Sequence, residues 1–198
     1  MNKFKYALMT ALLIGALPLM AQDKPQEKPA EKPAQKERVN SSGGNSPHET
    51  TGAIVDGNRV TITYGRPYMK GRTVWGGKLV PAGTIWRTGS DEATTMITQK
   101  PLEMGGKTVP AGAYTLWVML AEDGSAKLMV NKQIGQWGIN PRDPKSVYDE
   151  ANNIAEVDME KTSLDNPVEE FTIAVTRDGH IKLSWDKTQY SAAFKVQK

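Results

Sequence analysis

The sequence predicts an all-β domain, an antiparallel β-sandwich or a flattened barrel, placed behind a signal segment and a polar linker. Two observations predict it. Apolar and polar residues alternate at period two along several short runs, which puts one face of each strand in a core and the other in water. Turn dipeptides separate those runs at short intervals, and no long helical period interrupts them.

The elements follow in chain order. Lys3 and Lys5 precede an almost wholly apolar run from Tyr6 to Met20. That run falls short of the about 20 residues of a membrane span. It fits the hydrophobic region of a secretory signal, with cleavage expected after Ala21. The alternative, a buried N-terminal helix, has only a polar tract behind it to pack against. Residues 22–46 contain Glu-Lys-Pro at 27–29 and 31–33, then Ser41-Ser42-Gly43-Gly44-Asn45. Ordering this stretch would not be offset by burial, so it is expected to be disordered. It serves either as a spacer or as a soluble N-terminus. The expected organisation is a signal peptide over 1–21, a linker over 22–46 and one domain over 47–198. The mature chain is then expected in the periplasm or outside the cell, without a transmembrane segment.

Within the domain, Val60, Ile62 and Tyr64 alternate with Arg59, Thr61 and Thr63. The same pattern recurs at Ala155, Val157 and Met159, at Phe171, Ile173 and Val175, and at Ile181, Leu183 and Trp185. Tyr114–Leu120 is apolar on both faces in its second half, which predicts a central strand or one covered on both sides. Asp56-Gly57-Asn58, Gly105-Gly106, Asp123-Gly124 and Asp178-Gly179 read as hairpin turns. Pro81-Ala82-Gly83 and Pro110-Ala111-Gly112 read as two similar turns that each feed a strand. Only Pro144–Asn153 is expected to hold a short helix.

Composition excludes several functions. The chain has no cysteine, so it has no disulfide, no thiolate metal site and no lipidated Cys. Of the formal charge of +3, Lys3 and Lys5 carry two units and residues 22–46 carry one, leaving 47–198 neutral. A neutral domain gives no electrostatic case for nucleic acid. Gly106-Lys107-Thr108 has Pro101 where a phosphate loop needs glycine, so it reads as a turn. There is no Gly-x-Ser-x-Gly elbow. The two histidines, His48 beside the linker and His180 after a hairpin turn, are expected to be exposed, and no metal site or cofactor is expected.

Polar residues concentrate in two loop-like segments, 64–72 and 85–95. Arg66, Arg72 and Arg87 could each grip a carboxylate or phosphate bidentately. Trp86 could supply a stacking wall beside them, with Asp91, Glu92 and Thr94 adding polar contacts. The structural alternative pairs Arg87 with Glu92 or Asp91 and bonds Arg66 to backbone carbonyls. Asp91 and Glu92 can serve one site only if the backbone turns between them. Trp117 and Trp137 read as core residues, with a sugar-stacking platform as the alternative.

These residues also carry a family likeness. Ser46-Pro47, Tyr64-Gly65-Arg66-Pro67, Lys70-Gly71-Arg72, Val80-Pro81 with Gly83, Trp86-Arg87-Thr88-Gly89, Glu92-Ala93-Thr94, Pro110-Ala111-Gly112-Ala113-Tyr114 and Gln136-Trp137-Gly138 occur in that order. Together they resemble the bacterial domain of unknown function 2911 family over essentially all of residues 46–190. The resemblance implies an exported bacterial protein and assigns no catalytic residue. The leading expectation is a non-enzymatic envelope protein whose β-sandwich binds a small polar or anionic ligand, or a glycan. Two alternatives stand beside it: a hydrolase using Glu92 or Asp91, and a structural domain that binds an envelope partner through a sheet edge.

Overall fold

The computed structural model of the protein describes residues 37–39, 46–137 and 148–198, all within one unit, Pro33–Lys198. The signal segment expected over 1–21 and most of the linker expected over 22–46 lie outside the described residues. So does the 144–147 part of the expected short helix. The rest of that stretch makes a single 3-10 turn, Glu150–Asn152. Asp149 caps it, its carboxylate accepting from the Ala151 N–H at 3.0 Å.

Twelve strands are described: β1 Glu37–Val39, β2 His48–Val55, β3 Asn58–Gly65, β4 Thr84–Trp86, β5 Ser90–Thr98, β6 Leu102–Met104, β7 Lys107–Val109, β8 Gly112–Leu120, β9 Ala126–Asn131, β10 Asn153–Thr176, β11 His180–Ala193 and β12 Lys195–Val196. Nine form one antiparallel sheet in the order β1-β2-β3-β5-β8-β9-β10-β11, with β4 pairing the second half of β8. The other three form a small sheet, β12-β6-β7. Three residues of the expected linker thus add a strand to β2. Consecutive strands mostly pair as hairpins. The β2–β3 turn has Asp56 and Gly57 both at positive φ, 47° and 70°, the twist a two-residue hairpin needs.

The large sheet curls so that the segment leaving β3 reaches β10. The Met69 N–H donates to the Glu169 carbonyl at 2.8 Å, and the Phe171 N–H donates to the Pro67 carbonyl at 2.9 Å. The chain leaving β3 therefore pairs with the middle of β10, which makes a curled half-barrel, consistent with the expected sandwich or flattened barrel. Inside sit the alternating residues that the sequence assigned to the core, with Tyr64, Phe171, Trp86, Trp185, Trp75 and Tyr190 forming one aromatic group. Leu102, Met104 and Val109 of the small sheet are buried in the same core.

The central strand β8 is buried on both faces, as its two-sided apolar run predicted. Its outer face carries Trp117, which packs with Met129, Ala93, Ile85, Met119 and Tyr148. The Trp117 indole N–H donates to Thr115 Oγ1 at 2.9 Å, so Trp117 is a core residue of this second cluster.

Tyr64 locks the closure. Its hydroxyl accepts from the Ile173 N–H at 2.8 Å and faces the Ile173 carbonyl at 3.4 Å. Burial, helped by the charge of Glu49, pushes the phenol from 10.0 up to about 12. A raised pKa means that stability is fully present below pH 10 and is lost as pH climbs through about 12. The loss is on the order of 2–3 kcal/mol. Urea denaturation at pH 8 and pH 11 checks this: Tyr64→Phe is expected to be less stable than the native chain at pH 8, yet to lose less stability between the two.

Candidate functional site

The site forms where β2, β3 and β5 share one end. His48, Gly65 and Ser90 face one another across the three strands. Gly65 is required there: a Cβ would lie 2.2 Å from the Ser90 carbonyl oxygen. Opposite Tyr64 the ladder breaks, and β5 bulges between its pairs at Ser90 and Thr95.

The bulge is built from unusual backbone. Thr88 and Asp91 have positive φ, 58° and 65°. A β-branched residue in that region is a conformational outlier, and such strain marks a place held by its surroundings. Here the Thr94 hydroxyl donates to the Thr88 carbonyl at 2.7 Å, and the Thr94 N–H donates to the Arg87 carbonyl at 3.3 Å. The backbone turn at Asp91 is the one that Asp91 and Glu92 need to act at a single place, and both carboxylates act on the Arg87 guanidinium. Burial pushes Arg87 below its ordinary pKa, and the charges of Asp91 and then Glu92 oppose that shift.

Arg87 does not form the ion pair with Glu92 or Asp91 that was its structural alternative. Its Nη1 donates to the Trp137 carbonyl at 3.0 Å and its Nε faces the Gly89 carbonyl at 3.3 Å. These bonds tie the β4–β5 loop to the segment after β9. The Ala93 N–H adds a bond to the Gln136 carbonyl at 2.9 Å. Asn131 anchors the base of that segment, accepting from the Gln133 N–H at 3.0 Å and donating to the Asp149 carbonyl at 2.8 Å.

Three residues are placed otherwise than expected. His48 is buried, not exposed, because it is the first residue of a strand inside the sheet. Its Nε2 lies 3.2 Å from Glu92 Oε2. His180 is half-buried, its Nδ1 lying 3.2 Å from Asp178 Oδ2. Trp137, read first as a core residue, is 49% exposed.

The predicted candidates separate. Arg87, Asp91 and Glu92 come together. Trp86 lies behind them in the core, stacked on Trp185 at 5.9 Å, and Thr94 is a buried tie. Arg72 is exposed and holds its own loop through the Met69 and Tyr68 carbonyls at 2.9 and 2.6 Å. Arg66 points to the opposite face of the sheet. There its Nη1 meets Glu49 at 2.6 Å and Glu170 at 3.3 Å, while its Nε and Nη2 donate to the Phe171 carbonyl and Thr172 Oγ1. The structural alternative for Arg66 thus holds in part, with a buried carboxylate added.

The structure adds Gln136 and Ser90. Gln136 is only 2% exposed, and both atoms of its side-chain amide have no hydrogen-bond partner among the described residues. Ser90 Oγ and Asp91 Oδ2 are shielded in the same way. The Gln136-Trp137-Gly138 triplet was the available sequence signal, though nothing in it marks the glutamine as buried. Among the described residues no group of three or more His, Asp or Glu side chains is placed to hold a metal ion. No helix there is long and apolar enough to cross a membrane. A separate cavity of about 270 Å³ opens on the outer face beside Ile85, Met119, Met129 and Tyr148, and it shares no lining residue with this site.

One family model, described as protein of unknown function (DUF2911), matches residues 46–194, and the chain belongs to that family. No curated protein and no solved structure matches it.

Proposed function

We propose that this DUF2911 protein is an exported, non-enzymatic binding protein that holds a small polar ligand at the Arg87–Asp91–Glu92–Gln136 corner. The Gln136 amide carries the reading. A buried amide without a partner costs about 1–3 kcal/mol, and native proteins rarely leave one without a purpose. A ligand that pairs with it recovers that cost on binding. Two strained residues in the same corner agree, since backbone strain gathers at ligand sites.

Gln136→Leu separates ligand from structure. It removes the unpaired amide, so the variant is expected to be as stable as the native chain or more stable, by up to about 2 kcal/mol. It is also expected to lose any rise in Tm that a ligand confers. A ligand at 100 times its Kd adds about 2.7 kcal/mol, several degrees in a protein of this size. A Gln136→Leu variant that unfolds at lower temperature would make the amide a structural element and end the reading.

Export rests on the basic start at Lys3 and Lys5 and the apolar run behind it. Pulse-labelling in a bacterial host, with mass spectrometry of the mature N-terminus, tests it: the expected product begins at Gln22 and leaves the cytoplasm.

A second reading draws on the 3.2 Å contact of His48 with Glu92. In it the pair moves protons in a hydrolase. Turnover of chromogenic glycosides or esters that Glu92→Gln abolishes in a folded protein would favour this reading over simple binding.

A further inference from the structure

We infer that the outer-face cavity beside Tyr148 binds a small organic cation, a protonated amine carried on an apolar body. The cavity holds about 270 Å³ and shares no lining residue with the corner that contains Arg87 and Gln136. The inference therefore stands apart from the reading above.

Strand register builds the cavity. Ile85, Met119, Lys127 and Asp158 lie in one row across β4, β8, β9 and β10, and Trp117, Met129 and Glu156 lie in the next. Ile85, Met119 and Met129 give the cavity an apolar lining. Tyr148 adds an aromatic wall that is held from two sides. Its ring packs on Trp117 with centroids 5.2 Å apart, and Asn153 Nδ2 donates to its hydroxyl at 2.6 Å. An aromatic ring attracts a cation placed over its face. Methionine side chains adapt to apolar bodies of varied shape. A concave apolar site with a few polar groups at its rim is the usual form of a small-molecule site.

Charge at the rim selects the sign of the ligand. Lys127, Glu150 and Glu156 are the charged residues of the lining. Lys127 Nζ lies 3.4 Å from Asp158 Oδ1, so its charge is already met by a carboxylate outside the lining. Glu156 Oε1 accepts only from Asn153 Nδ2, at 3.3 Å. Among the described residues no cation pairs with Glu150 or Glu156. The cavity is thus left with two uncompensated carboxylates. Their field reaches the wall. Burial raises the Tyr148 phenol above its ordinary pKa, the Asn153 bond opposes that rise, and the charges of Glu150, Glu156 and Asp149 add to it. A protonated amine is attracted by the same charges, and a carboxylate or phosphate is repelled. The apolar lining favours a cation that carries hydrocarbon over a hydrated metal ion, which would lose its water there.

Calorimetric titration of the full chain with three probes that share one ring tests this: phenethylamine, 2-phenylethanol and phenylacetate. Phenethylamine is expected to bind about tenfold more tightly than the alcohol, and phenylacetate to bind more weakly than either. Added salt is expected to weaken the amine and to spare the alcohol. Glu150 and Glu156 are exposed, so Glu150→Gln/Glu156→Gln is expected to keep its Tm while binding phenethylamine about tenfold more weakly. Tyr148→Phe keeps the ring and is expected to bind as the native chain does, whereas Tyr148→Leu is expected to weaken the amine by about threefold. Gln136→Leu, in the other site, is expected to leave phenethylamine binding unchanged. Equal affinity for the three probes, a preference for phenylacetate, or no binding of phenethylamine would overturn the inference. So would amine binding that survives Glu150→Gln/Glu156→Gln undiminished. Amine binding lost in Gln136→Leu would place the amine in the Arg87 corner, overturning this inference and leaving the binding role of that corner in place.

Discussion

Arg66→Met is expected to destabilise the protein by about 3–5 kcal/mol. In a protein of this size the fall in Tm is on the order of 10 °C. The Arg66 guanidinium lies on the core side of the sheet, its Nη1 2.6 Å from Glu49, a residue with no exposed surface. Removing the cation takes from the buried Glu49 carboxylate its partner at 2.6 Å, and Glu170 loses the same cation. The bonds to the Phe171 carbonyl and Thr172 hydroxyl also go, and those bonds help hold β10 against the chain leaving β3. The double variant Glu49→Leu/Arg66→Met is expected to recover much of the loss, because it removes the buried carboxylate together with its cation. Denaturant unfolding of the four proteins of this cycle gives the coupling directly. A role for Arg66 as a ligand grip predicts the opposite result, with Tm unchanged and binding lost.

Trp86→Ala is expected to cost about 3–5 kcal/mol, the range for emptying an aromatic site in a core. The indole stacks on Trp185 with an interplanar angle of 21°. It meets Trp75 edge-on at 5.8 Å and Phe171 at 4.9 Å. Trp185 and Phe171 are buried in the same core and Trp75 packs against it, so aromatic rings border the void on three sides. Trp86→Phe keeps a ring in place and is expected to lose clearly less. Thermal unfolding of both variants decides the matter. An Ala variant that keeps its Tm would return Trp86 to the ligand-facing wall suggested by its neighbours in sequence.

Arg66 and Arg87 show how far local pattern reaches. Both stood in polar, loop-like segments, and both looked equally fit to hold an anion. Their partners come from remote parts of the chain: Glu49, Phe171 and Glu170 for Arg66, and Trp137 for Arg87. Sequence position next to a proline or a tryptophan says nothing of those partners. His48 departs from its sequence pattern for a related reason. It adjoins the polar linker, yet it opens β2 opposite Gly65 and is covered there. Trp117 and Trp137 diverged in the same way, one under Tyr148 and the other half in water.

The sequence by itself determined the strands, their inward faces and most of the turns. A strand's side chains alternate by backbone geometry alone, so period two in Val60–Tyr64 or Phe171–Val175 assigns the core face without knowledge of any neighbour. Asp56-Gly57 marked its hairpin because positive φ is a local demand. Only the tertiary structure decided that the sheet curls onto itself through Pro67 and Phe171. It alone decided that Arg66 becomes a core ion pair, and that Arg87, Asp91, Glu92 and Gln136 share a corner. The physical reason is that burial and pairing depend on which distant strand arrives beside a residue. That choice belongs to the closure of the whole sheet and not to any short stretch of it.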